Sequence, residues 1–176
     1  DKKGNFQFFT IEKNPKQIGD DYKFAGDFSD GLAAVVKEGE GIEFINLKGR
    51  VELSLRDVEG KVIDAVRNLQ EGLICFKTTE NKWGFLDAKG MIKIEPIYDE
   101  AYNFSNGLAL VGKKTTDDKI IFGLIDSDNQ IKIPFKDGIK FSSSDKHRNN
   151  LIAFTDESGE WGFMNVSAEK VIKQNA

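Results

Sequence analysis

The chain has 176 residues, with 25 Lys and Arg against 29 Asp and Glu for a net charge of −4, and 31% charged residues against 39% hydrophobic ones. A chain of this length buries about 70% of its unfolded surface without staples, and this balance fits neither a disordered acidic tail nor a membrane-embedded protein. It shows no basic stripe for nucleic acid and no apolar run near the roughly 18 residues a transmembrane segment needs; Lys113-Lys114 and the Lys146–Arg148 pair read as solvated surface.

In chain order, Gln7–Ile11 reads as a strand, with Asn14 as a turn residue. Phe28–Val35 contains the octet Phe-Ser-Asp-Gly-Leu-Ala-Ala-Val, Ile42–Asn46 is a strand, and Val51–Leu55 is the next one. Val58–Leu69 is the one stretch that invites a helix. Val62–Val66 aligns with Ile97–Ala101, however, so the better reading is extended chain with a loop insertion at Arg56–Lys61. Trp83–Asp87 and Ile92–Ile94 follow as strands. Pro96 is expected to end the second, as Pro134 ends Ile131–Ile133, because proline cannot donate to a ladder. Tyr98–Ala101 reads as a short fourth strand or a turn, and Leu108–Val111 opens the next unit. Further insertions fall at Lys113–Lys119 and Phe141–Arg148.

These elements repeat. Trp83-Gly84-Phe85-Leu86-Asp87 matches Phe122–Asp126 and Trp161–Asn165, with the glycines 39 residues apart each time. Ile42–Asn46 and Gln7–Ile11 fill the same slot earlier in the chain. The octet recurs at Phe104–Val111, in part at Leu69–Ile74, and in worn form at Asn149–Ala153. Asp87-Ala88-Lys89-Gly90 has the signature of a type I turn closed by a left-handed residue, a G1-bulge hairpin. Gly49, Asn129 and Asn14 stand where Gly90 does, and all tolerate positive φ; Ala168 departs, so a looser turn is expected there.

The Lys-Trp-Gly-Phe run, the Asp-x-x-Gly turn, the Ile-x-Pro-x-Tyr-Asp segment and the Phe-Ser-x-Gly-Leu-Ala octet resemble the WG-repeat (KWG-repeat) family of bacterial proteins. The resemblance is specific from Lys82 to Val111 and partial elsewhere. It implies a β-rich, propeller-like fold, and most members have no assigned activity. Gln7 and Ile42 at the Trp position, with Phe8 and Glu43 at the Gly position, depart from the family pattern and leave the geometry of the N-terminal units open. The expected fold is all-β: a single domain over residues 1–176, built from four to five antiparallel meanders of about 40 residues, propeller-like or an open arc.

Few residues suggest chemistry. Cys75, in the apolar run Leu73–Phe76, reads as a buried thiol, and His147 as a solvated loop residue. One Cys and one His cannot supply the usual zinc ligands or an internal disulfide. Trp83 and Trp161 invite ligand stacking, but their slot also holds Gln7, Ile42 and Phe122, which selects for buried volume. The following glycines, Gly84, Gly123 and Gly162, are expected to admit close approach of a neighbouring ring or backbone. Asp126-Ser127-Asp128-Asn129, with Asp137 eleven residues on, imitates a calcium loop, but Ile131 stands where the loop needs glycine. Asp64, Asp99 and Asp137 recur at one repeat position, which suits a turn or cap better than an acid/base pair needed once.

No catalytic, cofactor or metal residue is therefore nominated. The expected function is non-enzymatic: a binding or scaffold surface for a protein, peptide or glycan. The alternatives are a carboxylate-based glycan hydrolase and a structural cell-envelope module. A start at Asp1 rather than Met fits a mature exported chain or a trimmed one, and export or the cell envelope is the expected location.

Overall fold

A computed structural model describes residues 4–136, 140, 141, 151–155, 158, 160–165 and 170–173. A hairpin joins β1 (Phe6–Phe9) to β2 (Gln17–Tyr22). The first full sheet holds β3 (Phe24–Ala25), β4 (Leu32–Val36), β5 (Ile42–Asn46) and β6 (Val51–Leu55). The second holds β7 (Asp57–Val58), β8 (Lys61–Gln70), β9 (Leu73–Thr78), β10 (Trp83–Asp87) and β11 (Ile92–Tyr98). The third is β12 (Glu100–Ala101), β13 (Leu108–Lys114), β14 (Ile120–Asp126) and β15 (Ile131–Lys136). The fourth is β16 (Lys140–Phe141), β17 (Leu151–Thr155), β18 (Trp161–Asn165) and β19 (Lys170–Lys173). The fold is all-β, every pairing is antiparallel, and strands adjacent in sequence are adjacent in each sheet. The fourth strand of the unit exists, as the two-residue β3, β12 and β16. Among the described residues the first hairpin and the last sheet share no strand pairing, and no helix is long and apolar enough to cross a membrane.

The core lies between the sheets. Alternate residues of one strand face opposite sides. Thus Ala33, Val35 and Ile45 pack with Tyr22 and Phe8 toward the first hairpin, while Ala34 and Phe44 pack with Ile74, Phe76 and Leu86 toward the second sheet. Cys75 and Phe85 in turn face Phe104, Ala109, Val111 and Ile125 of the third sheet, and Leu110 and Leu124 meet Phe154 of the fourth. The Gly-Leu-Ala and Trp-Gly strands are buried on both faces, as short continuous apolar runs require. Val51–Leu55 and Ile92–Ile94 alternate because they lie at sheet edges with one face in water.

The bulge turns form as expected. Gly90, Gly49 and Asn129 have φ of 82°, 75° and 61°. Each opening residue, Asp87, Asn46 or Asp126, accepts two backbone amides on its Oδ1, those of Lys89 and Met91 in the first case at 2.9 and 3.0 Å. A second family of turns links the units. Asp30-Gly31, Glu71-Gly72 and Asn106-Gly107 all have positive φ at both residues, the type I′ pattern. Glu71 then accepts the amides of Asn106 at 2.5 Å and Gly107 at 2.8 Å in the next unit, and Asp30 accepts that of Gly72 at 3.3 Å.

Some expectations need correction. Pro96 and Pro134 do not end their strands; they lie inside β11 and β15. Both strands are outermost in their sheets, so a missing N–H costs nothing there. Asn14 has no positive φ. The β1–β2 connection is wider than a bulge turn and closes instead through Thr10 and Lys16, whose backbones bond at 2.9 Å. The insertions at Arg56–Lys61 and Lys113–Lys119 are hairpins rather than loops: one forms β7–β8, the other lengthens β13–β14. Val58–Leu69 is not helical: β7 ends at Val58, Glu59 and Gly60 make the turn, and the rest lies in β8. Ala168, Asp137, His147 and residues 142–148 of the third insertion lie outside the described residues.

Candidate functional site

The Trp-Gly position is the point where the units can be compared one against another. In the second sheet Trp83 pairs with Tyr98 and Phe85 with Ile94, so one residue of β10 faces three of β11. The extra residues arch over Gly84. A Cβ there would sit 2.5 Å from the Ile94 carbonyl oxygen and 2.7 Å from the Pro96 nitrogen. In the third sheet the same arch brings the Ile133 carbonyl to 2.8 Å and the Phe135 ring to 3.2 Å from a Cβ on Gly123. The glycine is therefore what permits the arch, by close approach of backbone.

The half-buried Trp83 ring is covered by Arg67. Its guanidinium lies 4.8 Å from the Trp83 ring centre and 4.8 Å from that of Tyr102, and its Nε donates to the Ala101 carbonyl at 3.0 Å. This cation between two rings clasps the second sheet to the third.

The first sheet lacks both features. Glu43 stands in the place of the glycine, and no arch forms over it. Ile42 pairs with Leu55 and Glu43 with Ser54 in regular register, and β6 ends at Leu55. The chain departs through Arg56 into the β7–β8 hairpin, leaving a cleft of about 450 Å³ lined by Glu40, Ile42, Glu43, Ser54, Arg56 and Asp57. Ile42 also falls short of an indole in volume. Beside it opens a second cleft of about 290 Å³, between Phe24, Val36, Ile42, Asp64, Ala65 and Val66. Ile42 lines both, but its side chain packs with Phe44 toward the second sheet, whereas Glu43, the next residue of β5 and the partner of Val35, faces the first hairpin, so the two clefts meet at Ile42 without sharing Glu43.

The polar groups of the two clefts are unevenly satisfied. Glu43 Oε1 lies 3.5 Å from Ser54 Oγ, while its Oε2 is buried without a hydrogen-bond partner. Arg56 donates to the Gly39 carbonyl at 3.4 Å, and Asp57 accepts the Gly60 amide at 2.9 Å. Asp64 pairs with Lys77 at 3.0 Å. Toward the first hairpin Lys37 is held by Asp20 of β2 at 2.9 Å. That hydrogen bond raises the Lys37 pKa against partial desolvation, and Glu43 and Glu40 add to the rise.

The residues singled out from the sequence are dispersed. Cys75 is buried in the core between the second and third sheets. Trp83, Ile42 and Phe122 are half-buried and pack against the core, Gln7 in the same slot is half-buried too, and Trp161 lies in β18. Asp99 sits apart from Asp64 in its bonding: Lys82 donates to it at 2.6 Å and the Lys114 amide at 2.8 Å. Burial pushes its carboxyl pKa up, but these two partners outweigh that and hold it below the ordinary range. Asp126 is likewise held low, by Lys132 at 2.8 Å and the Gln130 amide, which makes the calcium-loop imitation a turn. Ile42 and Glu43 stood out in the sequence only as departures from the repeat. The readable signal was a charged residue in a slot that elsewhere takes glycine.

The WG containing repeat model matches residues 21–40 and 83–114, so the chain carries WG repeats in those regions. No curated protein matches the chain. Solved structures it resembles include the computationally designed Ika4 protein, at 10% identity and a TM-score of 0.48 over 78% of this chain and 87% of that one. The designed Ika8 protein gives 10% identity and 0.45 over 97% and 68%. BamB from Moraxella catarrhalis gives 10% identity and 0.31 over 92% and 66%.

Proposed function

We propose that this WG-repeat chain is a non-enzymatic binding module, and that its partner, a protein, peptide or glycan, enters the first cleft, the one lined by both Ile42 and Glu43. The observation that carries the reading is the coincidence of two breaks. Both members of the Trp-Gly pair are replaced in one unit, and the resulting cleft is lined by Arg56 and Asp57 from the inserted hairpin. Insertions on a rigid repeat frame are where recognition residues concentrate. The lysine pairing of Asp64 and Asp99 supports binding over acid/base work, since a general acid needs a raised carboxyl pKa and that of Asp99 is lowered.

The test compares wild type with the double variant Ile42→Trp/Glu43→Gly, which restores the repeat. A partner held stoichiometrically by wild type and lost by the variant supports the reading. Equal retention by both removes the first cleft from it, and turnover in a glycoside-hydrolase screen that disappears in the variant replaces binding with catalysis.

A further inference from the structure

We propose that the open edge of β1 is a docking site for an extended apolar segment of another protein, which adds to the first hairpin as an antiparallel strand. The hairpin is half a unit. The chain passes from β2 into β3 through Tyr22 as it passes from β11 into β12 through Tyr98. In every later unit the Trp-Gly strand has a neighbour on each side: β5 lies between β4 and β6, β10 between β9 and β11, β14 between β13 and β15, and β18 between β17 and β19. Among the described residues β1 has β2 alone. Thr10 donates its amide to the Lys16 carbonyl across that pair, so the alternate residues Gln7 and Phe9 turn their N–H and C=O groups to the open side. Phe6 and Phe9 are 52% and 50% exposed along the same strand. An unpaired edge that carries large exposed apolar side chains is a template for another strand.

The core beside this edge is short of the same strand. Ala34 of β4 shares a core cluster with Leu69 of the second sheet, and Cys75 of β9, at the same repeat position, shares one with Phe104 of the third. Leu69 and Phe104 are 4% and 1% exposed. Phe28 holds their position in the first sheet and is only half-buried: Phe8 packs on it with ring centres 4.9 Å apart, and no Gly-Leu-Ala strand lies beside β1 to complete the cover. A strand added to β1 continues the cluster of Tyr22, Ala33, Val35 and Ile45 over Phe28. The segment that fits is apolar on both faces, as β4 and β9 are, with a small residue turned toward Phe28 where those strands have Ala34 and Cys75. A second copy of this chain is the weaker donor, because its own strands of this type, β4, β9, β13 and β17, are already paired on both sides. Phe6, Gln7, Phe9 and Phe28 do not line the cleft of the binding reading above, so the two sites stand or fall separately.

The experiment is an amide chemical-shift and hydrogen-exchange titration of the full chain with the peptide Asp-Gly-Leu-Ala-Ala-Val-Val-Lys, the sequence of residues 30–37, acetylated and amidated. In β4 this sequence sets Ala33 and Val35 opposite Ile45 and Glu43, the residues of β5 that face it, since the Asn46 amide goes to the Arg50 carbonyl on the other side. The control peptide therefore carries Pro at its fourth and sixth positions, which removes those two donors. The parent peptide is expected to move the amides of residues 6–9 and 28 and to slow exchange at Gln7 and Phe9 about tenfold or more. The proline peptide should bind at least about tenfold more weakly. Gln7→Pro takes an outward donor from β1 and should weaken binding to a similar degree; the proline peptide carries the test if that variant misfolds. If the parent peptide leaves those amides and their exchange unchanged, or the proline peptide binds as well, the inference is overturned. Shifts confined to residues 40–43 and 54–57 overturn it too, while leaving the cleft as a binding site. Protection of Gln7 and Phe9 that rises with protein concentration, with no peptide present, makes a second copy the occupant and overturns the choice of partner.

Discussion

Replacing Gly84 by alanine adds one methyl group where the backbone leaves no space for it. The new Cβ would lie 2.5 Å from the Ile94 carbonyl oxygen, about 0.9 Å inside the 3.4 Å at which ordinary contact begins. The Pro96 nitrogen and Cα, at 2.7 and 2.8 Å, block the other side, and neither is the yielding end of a flexible side chain. The strand β11 must lift, and Ile94 and Tyr98, both buried, must lift with it. Overpacking of this kind costs about 1–3 kcal/mol. For a chain of this size each kcal/mol lowers Tm by about 2–4 °C. Urea and thermal unfolding followed by circular dichroism read the effect. Two controls isolate its cause. Glu43→Ala occupies the same slot without an arch above it and should change stability by less than about 0.5 kcal/mol. Gly31→Ala meets nothing within 4 Å but carries a φ of +81°, so it should cost about 1 kcal/mol through backbone strain alone. If Gly84→Ala unfolds within about 0.5 kcal/mol of wild type, β11 yields freely. Glycine would then not be what permits the arch, nor its replacement by Glu43 what leaves the cleft open.

Three other outcomes are expected. Arg67→Lys keeps the charge but loses the planar stack on Trp83 and Tyr102, and should cost about 1 kcal/mol with a change in tryptophan fluorescence; an unchanged spectrum and midpoint would count against the clasp. Glu71→Ala removes the acceptor for two amides of the next turn and should lower stability by about 1 kcal/mol, with faster hydrogen exchange at Asn106 and Gly107 as the local readout. Asp99 is held below its ordinary pKa of 3.8 in the folded chain. Its charged form therefore stabilises the fold fully above that value, and the contribution fades as pH falls through the lowered one. Asp99→Asn should accordingly be less stable than wild type at about pH 7, with a gap that narrows toward about pH 3; a gap that widens in acid contradicts the assignment.

What could be read from the sequence follows the range of each interaction. The bulge turns were legible because Asp87 and Gly90 act within four residues of each other, and Asn46 with Gly49 repeats the chemistry. The two buried faces of Leu108–Val111 were legible from an unbroken apolar run. Pro96 was misread because its tolerance depends on β11 being outermost, a fact of the sheet and not of the strand. Glu71 carries no local sign that its carboxylate serves amides 35 and 36 residues away. Trp83 packs against the core beside Cys75 and Phe85, as the slot's volume implies, but its cover by Arg67 carries no local sign, because Arg67 belongs to a different strand. Ile42 and Glu43 were visible as departures. That they open space required knowing that glycine elsewhere lies beneath an arching strand.

The strand β8 joins the apolar cleft to the rest of the array. Val66 lines that cleft, and the next residue, Arg67, points to the other side and sits between Trp83 and Tyr102. One wall of the cleft is thus clasped from behind by the intact version of the contact that the cleft itself lacks. The opposite wall, β5, is fixed by Phe44 and Ile45, which are fully buried toward the second sheet and the first hairpin respectively. A ligand entering between two walls held in this way meets a preformed surface. A partner of the kind proposed above would lose little binding free energy in ordering the protein there, so its affinity should track the match of its side chains to the apolar lining of Phe24, Val36, Ile42 and Val66.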